Sequence, residues 1–253
     1  MQATLAGRHA LVTGGSRGIG RAVAAALTEA GATVTIMGRT EATLRAAVDG
    51  RVAAHFVVAD VANASAYRAA IMSAAASNGP IDVLVANAGG AQSAPFAKSD
   101  DQLFRSMLDL NFMSVLHAAQ GVLGGMVERG FGRFVAVASL AGLKGYAYAS
   151  AYCAAKHAAV GLVRSLAAEY ASTGVTINAV CPGYTDTDLV GESLDRIVRK
   201  TGRTREAALA SLLATDQQDR LIAPADVAAA VLSLCLPADR PVTGEAVPVV
   251  ARK

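Results

Sequence analysis

Residues 13–20 read Thr-Gly-Gly-Ser-Arg-Gly-Ile-Gly. They follow the apolar run His9-Ala10-Leu11-Val12 and precede an alanine-rich stretch from about Arg21 to Ala30 that Gly31 closes. This order commits the chain to a strand, a glycine loop and a helix. Such a unit holds a dinucleotide: glycines let the backbone approach the pyrophosphate, and a helix N-terminus favours negative charge. Gly14, Ser16, Arg17, Gly18, Ile19 and Gly20 are therefore candidate cofactor contacts. The spacing is TGxxxGxG and not the commoner GxGxxG, and taken alone the loop is also compatible with a plain tight turn.

The rest of the chain repeats the alternation. Apolar runs at Thr33–Met37, His55–Ala59, Ile81–Ala86, Phe134–Ala138, Val175–Val180 and Glu245–Val250 read as strands, with helical stretches between them. That pattern argues for an α/β fold with a doubly wound, mostly parallel seven-stranded sheet. At 253 residues and 53% hydrophobic, the chain suits one well-buried domain spanning 1–253. Between the sixth strand and the last helix, about 187–221, the pattern is helical and less sheet-like, and we expect a lid there. Five cations without an acid lie between Arg196 and Arg205. They suit either a solvated helix face or a lid that meets an anionic handle such as coenzyme A phosphates.

Strand ends supply the next candidates. Gly38-Arg39-Thr40 closes the second strand where an NAD site usually places a carboxylate for the ribose 2′-hydroxyl. No acid stands there. Arg39, with Arg17 in the glycine loop, suits a 2′-phosphate, because guanidinium pairs bidentately with phosphate. The expected cofactor is NADP(H) rather than NAD(H); the alternative is that Arg39 caps the next helix on the surface. Asp60 and Val61 follow the third strand, where Asp60 is placed either to accept from an adenine amine or to cap the following helix. Asn87, Ala88 and Gly89 follow the fourth strand and leave room for a cofactor against the backbone. Pro182, Gly183, Thr185 and Thr187 follow the sixth.

Function classes are narrowed by what is sparse. The net charge of +3, aromatics at 5% and the lack of a long basic run argue against a nucleic-acid partner. No uninterrupted apolar run reaches the roughly 18 residues of a membrane span, and no secretory signal is read at the start. Cys153, Cys181 and Cys235 lack metal-ligand spacing, so no metal is expected and free thiols in a reducing, cytoplasmic setting are.

Chemistry is carried by Ser139 to Lys156. Tyr152 and Lys156 stand four apart in a helical stretch and so share one face. A fixed cation favours phenolate and is expected to lower the tyrosine pKa, giving a general acid/base for an alcohol or carbonyl oxygen. Ser139 ends the fifth strand, within reach of the same oxygen. Asn111 stands among apolar neighbours and must find partners, either a neighbouring backbone or a water in a proton relay.

Taken together, TGGSRGIG at 13–20, Asp60-Val61, NAGG at 87–90, Asn111, Ser139, YCAAK at 152–156 and PGYTDT at 182–187 resemble the short-chain dehydrogenase/reductase family in order and spacing over nearly the whole chain. The resemblance implies that Tyr152 is the catalytic acid/base, Lys156 the ribose-binding lysine, Ser139 the residue orienting the substrate oxygen and Asn111 the support of a relay water. Thr187 would contact the nicotinamide carboxamide. It further implies a homotetramer or homodimer. Within the family the chain looks most like 3-oxoacyl-thioester reductases and 3-hydroxyacyl-CoA dehydrogenases, so a CoA or acyl-carrier-protein thioester is the expected substrate. The alternatives are a reductase of free ketones, sugars or aromatic alcohols, and a cofactor-binding regulatory module. The ending Pro248 to Lys253 departs from the family's usual C-terminal turn.

Overall fold

The computed structural model describes residues 4–238 and 241–251; the sequence's last two residues, Arg252 and Lys253, lie outside the described residues. Seven strands, β1 (His9–Thr13), β2 (Thr33–Gly38), β3 (His55–Val58), β4 (Ile81–Ala86), β5 (Gly132–Val137), β6 (Val175–Pro182) and β7 (Ala246–Val249), form one sheet. Its order is β3-β2-β1-β4-β5-β6-β7 and every pairing is parallel. Parallel neighbours need long crossovers, which the helices provide: α1 (Gly18–Glu29), α2 (Glu41–Asp49), α3 (Ala64–Asn78), α4 (Asp101–Leu108) with α5 (Ser114–Glu128), and α6 (Ser150–Glu169). After β6 come α7 (Asp188–Thr201), α8 (Arg205–Thr215) and α9 (Pro224–Cys235).

Side chains alternate across a strand, so each central strand feeds two cores. Val12, Ile36, Val85, Val135 and Val180 pack with Val23, Leu27, Leu44 and Val231 on one face. Leu11, Met37, Leu84, Phe134 and Ile177 pack with Ile71, Val122, Met126 and Val163 on the other. Each such side chain, fully buried, contributes about 1.5–3 kcal/mol. The helical run Asp101–Glu128 is long and apolar enough by composition to cross a bilayer. Its residues Val115, Ala118, Val122, Leu123 and Met126 are instead buried in the second core.

Two details differ from the sequence reading. The helix containing Asn111 is interrupted by a π turn, Asp109–Met113. Asp60 does not cap α3. Its carboxylate accepts from Ala62 N (3.0 Å), and Asn63 caps the helix by accepting from Ala66 N (3.1 Å). Asn63 is one residue before the first helical position, where a cap oxygen reaches the free N–H groups.

The chain order reverses between β1 and β4, so the crossovers leaving these strands diverge to opposite faces. A crevice opens above their carboxyl ends.

Candidate active site

Thr13 ties the crevice floor together. Its hydroxyl accepts from Asn87 N (3.0 Å) and Ala88 N (2.9 Å), and its carbonyl accepts from the Asn87 amide (2.9 Å). This residue, 1% exposed, closes β1, and the sequence reading assigned it no role. It could have been flagged as a buried hydroxyl at a strand end, which must find partners.

The glycine loop fits a cradle on three counts. Gly14 and Gly18 have φ of +65° and +52°, which favour glycine. A Cβ on Gly14 would lie 2.9 Å from the Asn87 amide nitrogen, and one on Gly18 3.2 Å from Thr187. Arg17, at the N-cap of α1, makes no side-chain cap, so the first N–H groups of the helix face the cleft without a side-chain acceptor.

The cleft, about 430 Å³, is lined by every residue the sequence nominated for cofactor contact: Gly14, Ser16, Arg17, Gly18, Ile19, Gly20, Arg39, Asp60, Val61, Asn87, Ala88, Gly89, Tyr152, Lys156, Pro182, Gly183, Thr185 and Thr187. Ser139 also lines it. Asn111 does not. It is fully buried behind the 89–90 turn, donating to Gly90 O (3.0 Å) and Met107 O (3.1 Å) and accepting from Gly90 N (3.2 Å). A Cβ on Gly89 would lie 2.8 Å from Asn111 Oδ1 and 3.5 Å from Lys156 Nζ, so this turn passes tightly between the two. The lining missed from sequence includes Thr40, Thr43, Asp188 and Glu192. Thr43 stands beside Ser16, its hydroxyl 3.3 Å away.

The charge pattern is more balanced than the sequence suggested. Arg17 pairs with Asp188 across 3.3 Å, joining the glycine loop to the first turn of α7, with both side chains about two-thirds exposed. Arg205 of the basic stretch pairs with Asp195. Arg199 and Lys200 occupy the last turn of α7, where cations complement the helix dipole.

At the reacting end, Ser139 accepts from Ala141 N (3.1 Å) and starts the short turn Leu140–Gly142. Lys156 is 4% exposed and donates to Val137 O (3.0 Å), with its ammonium 5.8 Å from the centre of the Tyr152 ring. Tyr152 corrects an expectation. Burial pushes its phenol up to about 12, with Ser139 opposing the rise. Burial also pulls Lys156 down to about 8. The ammonium is committed to a carbonyl and offset from the ring. Desolvation disfavours the charged form of both groups.

Fold and cleft together define a dinucleotide-binding α/β protein. A family model described as short chain dehydrogenase matches residues 8–197, and the chain belongs to that family. It is similar to a 3-oxoacyl-(acyl-carrier-protein) reductase of Vibrio harveyi, 33% identical over 243 residues, covering 95% of each chain. It is similar also to an acetoacetyl-CoA reductase of Paracoccus denitrificans, 37% identical over 193 residues, covering 76% of this chain and 79% of that one. Among solved structures, an actinorhodin polyketide ketoreductase variant with NADPH superposes with a TM-score of 0.91 at 34% identity, covering 98% of both chains.

Proposed function

We propose that this protein is an NADP(H)-dependent reductase of the ketone in 3-oxoacyl thioesters. The observation that carries the reading is the convergence of Ser139, Tyr152 and Lys156 on the same cleft as the glycine loop. Named relatives acting on 3-oxoacyl and acetoacetyl thioesters support the substrate class.

When bound, the nicotinamide dinucleotide supplies the hydride. Gly14 to Gly20 and the N-terminus of α1 would hold its pyrophosphate, and Ser16, Arg17, Arg39 and Thr43 would meet a 2′-phosphate. Arg17 serves this role by exchanging its exposed bond to Asp188, a surface pair worth about 0–1 kcal/mol. Ser139 donates to the substrate carbonyl oxygen and fixes its position. Tyr152, a neutral phenol across the physiological range, delivers its proton to that oxygen as negative charge develops. Lys156 holds positive charge beside the developing phenolate, and Asn111 fixes the 89–90 turn against Lys156. A proton donor that stays protonated suits the reductive direction. The buried free thiols of Cys153, Cys181 and Cys235 suit a reducing, cytoplasmic setting. The exposed side of the Asp101–Glu128 run is where self-association as a homodimer or homotetramer would fall.

The test is a substrate panel followed by cofactor absorbance. NADPH and NADH are each run against acetoacetyl-CoA, a medium-chain 3-oxoacyl thioester, free acetoacetate and neutral ketones. Thioester turnover with NADPH preference is the expected result. Turnover of neutral ketones alone overturns the thioester assignment, and preference for NADH overturns the 2′-phosphate assignment.

A further inference from the structure

The segment between Ser139 and Tyr152 is irregular over 143–149, yet both ends of it carry the chemistry. What ties it down comes from a distant part of the chain. Asp216, just past the end of α8, has a side chain only 1% exposed. Its Oδ1 accepts a hydrogen bond from the Tyr146 hydroxyl and lies 2.8 Å from Lys144 Nζ. Lys144 also donates to Thr215 O (2.9 Å), and its ammonium stands 5.1 Å from the centre of the Tyr146 ring. The second carboxylate oxygen packs toward Gly183, where a Cβ would lie 3.3 Å from it.

Gln218 extends the grip two residues on. It accepts from Tyr184 N (2.8 Å) and donates to Tyr184 O (3.1 Å). Tyr146 and Tyr184 therefore meet edge to face, with ring centres 6.4 Å apart at 86°. Burial first, then Asp216, keeps both phenols protonated; the Tyr184 phenol also feels Tyr152 and Cys153. Through Tyr184 the aromatic pair is thus held within electrostatic reach of the reacting tyrosine.

Burying a carboxylate against a half-exposed ammonium costs desolvation that the pairing only partly returns, so it adds little to stability over an apolar alternative. What such a pair does supply is a fixed geometry. We propose that Asp216 is a positioning residue: through Tyr146 and Lys144 it joins the end of the α7–α8 lid to the loop between Ser139 and Tyr152, and so sets the aromatic wall against which the substrate's acyl part lies. The proposal rests on the reading of the cleft as an acyl-ketone site. Asp216 touches neither the reacting atoms nor the glycine loop and adjoins the cleft only at Gly183, so its loss acts on substrate affinity.

The experiment is steady-state kinetics of Asp216→Asn, Asp216→Glu and Tyr146→Phe with NADPH, using a medium-chain 3-oxoacyl thioester and a small neutral ketone that ends short of the wall. For the thioester, D216N raises KM about tenfold and Y146F about threefold, with kcat within about twofold. D216E, which keeps charge and acceptor, returns KM to within about threefold of the parent. The ketone's KM and the NADPH dissociation constant stay at the parent values. Unchanged thioester KM in both D216N and Y146F overturns the proposal, as does an equal loss for thioester and ketone. Y146F keeps the ring and the ion pair, so it decides the matter if D216N does not fold. If the parent reduces ketones but no thioester, the acyl reading fails instead. KM values for a bulky and a small ketone then test Asp216 separately.

Discussion

Tyr152 and Lys156 stand one helical turn apart on α6, but burial, not their proximity, sets their protonation. With the phenol raised to about 12, Tyr152 holds its proton at neutral pH, as the acid of the proposed reduction must. Tyr152→Phe should lower reductive kcat by about 10²–10⁴ while leaving NADPH affinity within about twofold, measured by fluorescence titration. Surviving turnover would assign the proton to another group. Lys156 has a folded pKa of about 8, depressed from its ordinary value of 10.5. Below pH 8 it is charged in both folded and unfolded chains and its burial is unfavourable. Between about 8 and 10.5 the unfolded chain binds the extra proton, so this group makes stability rise with pH across that window. Lys156→Met should flatten that rise in urea melts followed from pH 7 to 10. Activity runs the other way: reductive kcat should hold a plateau below about pH 8 and fall above it as the ammonium is lost. The sequence shows the i, i+4 spacing of these two groups. It does not show that the Val137 carbonyl captures the lysine, because that contact joins α6 to the end of β5.

At the level of elements, the proposed preference for NADP(H) rests on the helix and strand ends. The end of β2 carries Arg39 and no acid, and the loop before α1 carries Arg17, already held by Asp188 of α7. Arg39→Asp should weaken NADPH about 10–100-fold and leave NADH unchanged or improved, since a charge-assisted bond is worth about 1.5–3 kcal/mol and the new carboxylate repels phosphate. Equal losses for both cofactors in binding titrations would move the 2′-phosphate elsewhere. The strand ends were legible because each is a short local run: apolar residues, then glycine, asparagine or proline. The Arg17–Asp188 pair spans 171 positions, and the buried carboxylate of Asp216 reaches 70 positions back to Tyr146. No local pattern encodes either contact. The π turn around Asn111 was hidden for another reason. Its composition is that of an ordinary helix, and only the capture of Asn111 by Gly90 and Met107 marks the extra residue.

At the scale of the molecule, the two cores were legible because a parallel sheet covered on both faces demands apolar runs, and residues 10–12, 83–86 and 134–137 supply them. The cleft lies at the carboxyl ends of the parallel strands, and those ends follow from the alternation of strands and helices even though the strand order does not; that is why so much of its lining was reachable before any contact was known. The 187–221 segment was only half legible, since its helices were visible but the pairing of Arg205 with Asp195 was not. In the proposed reading the nucleotide would lie between elements from both halves of the sheet, all of which line the cleft: the glycine loop after β1, the turn after β4, and the Pro182–Thr187 segment after β6 leading into α7. A ligand held by all three should oppose global unfolding, not just order one loop. At NADPH about 100-fold above its dissociation constant the stabilisation is about 2.7 kcal/mol. For a chain of this size each kcal/mol moves the midpoint by about 2–4 °C, so Tm should rise by about 5–11 °C. NADH at the same concentration should give a visibly smaller rise, because it lacks the phosphate that Arg39 and Ser16 would meet. Differential scanning fluorimetry at matched concentrations measures both shifts. Arg39→Asp should erase the difference between them without lowering the unliganded Tm, since Arg39 lies on the exposed rim. Equal shifts for the two nucleotides in the parent protein would mean that the arginine rim does not read the phosphate.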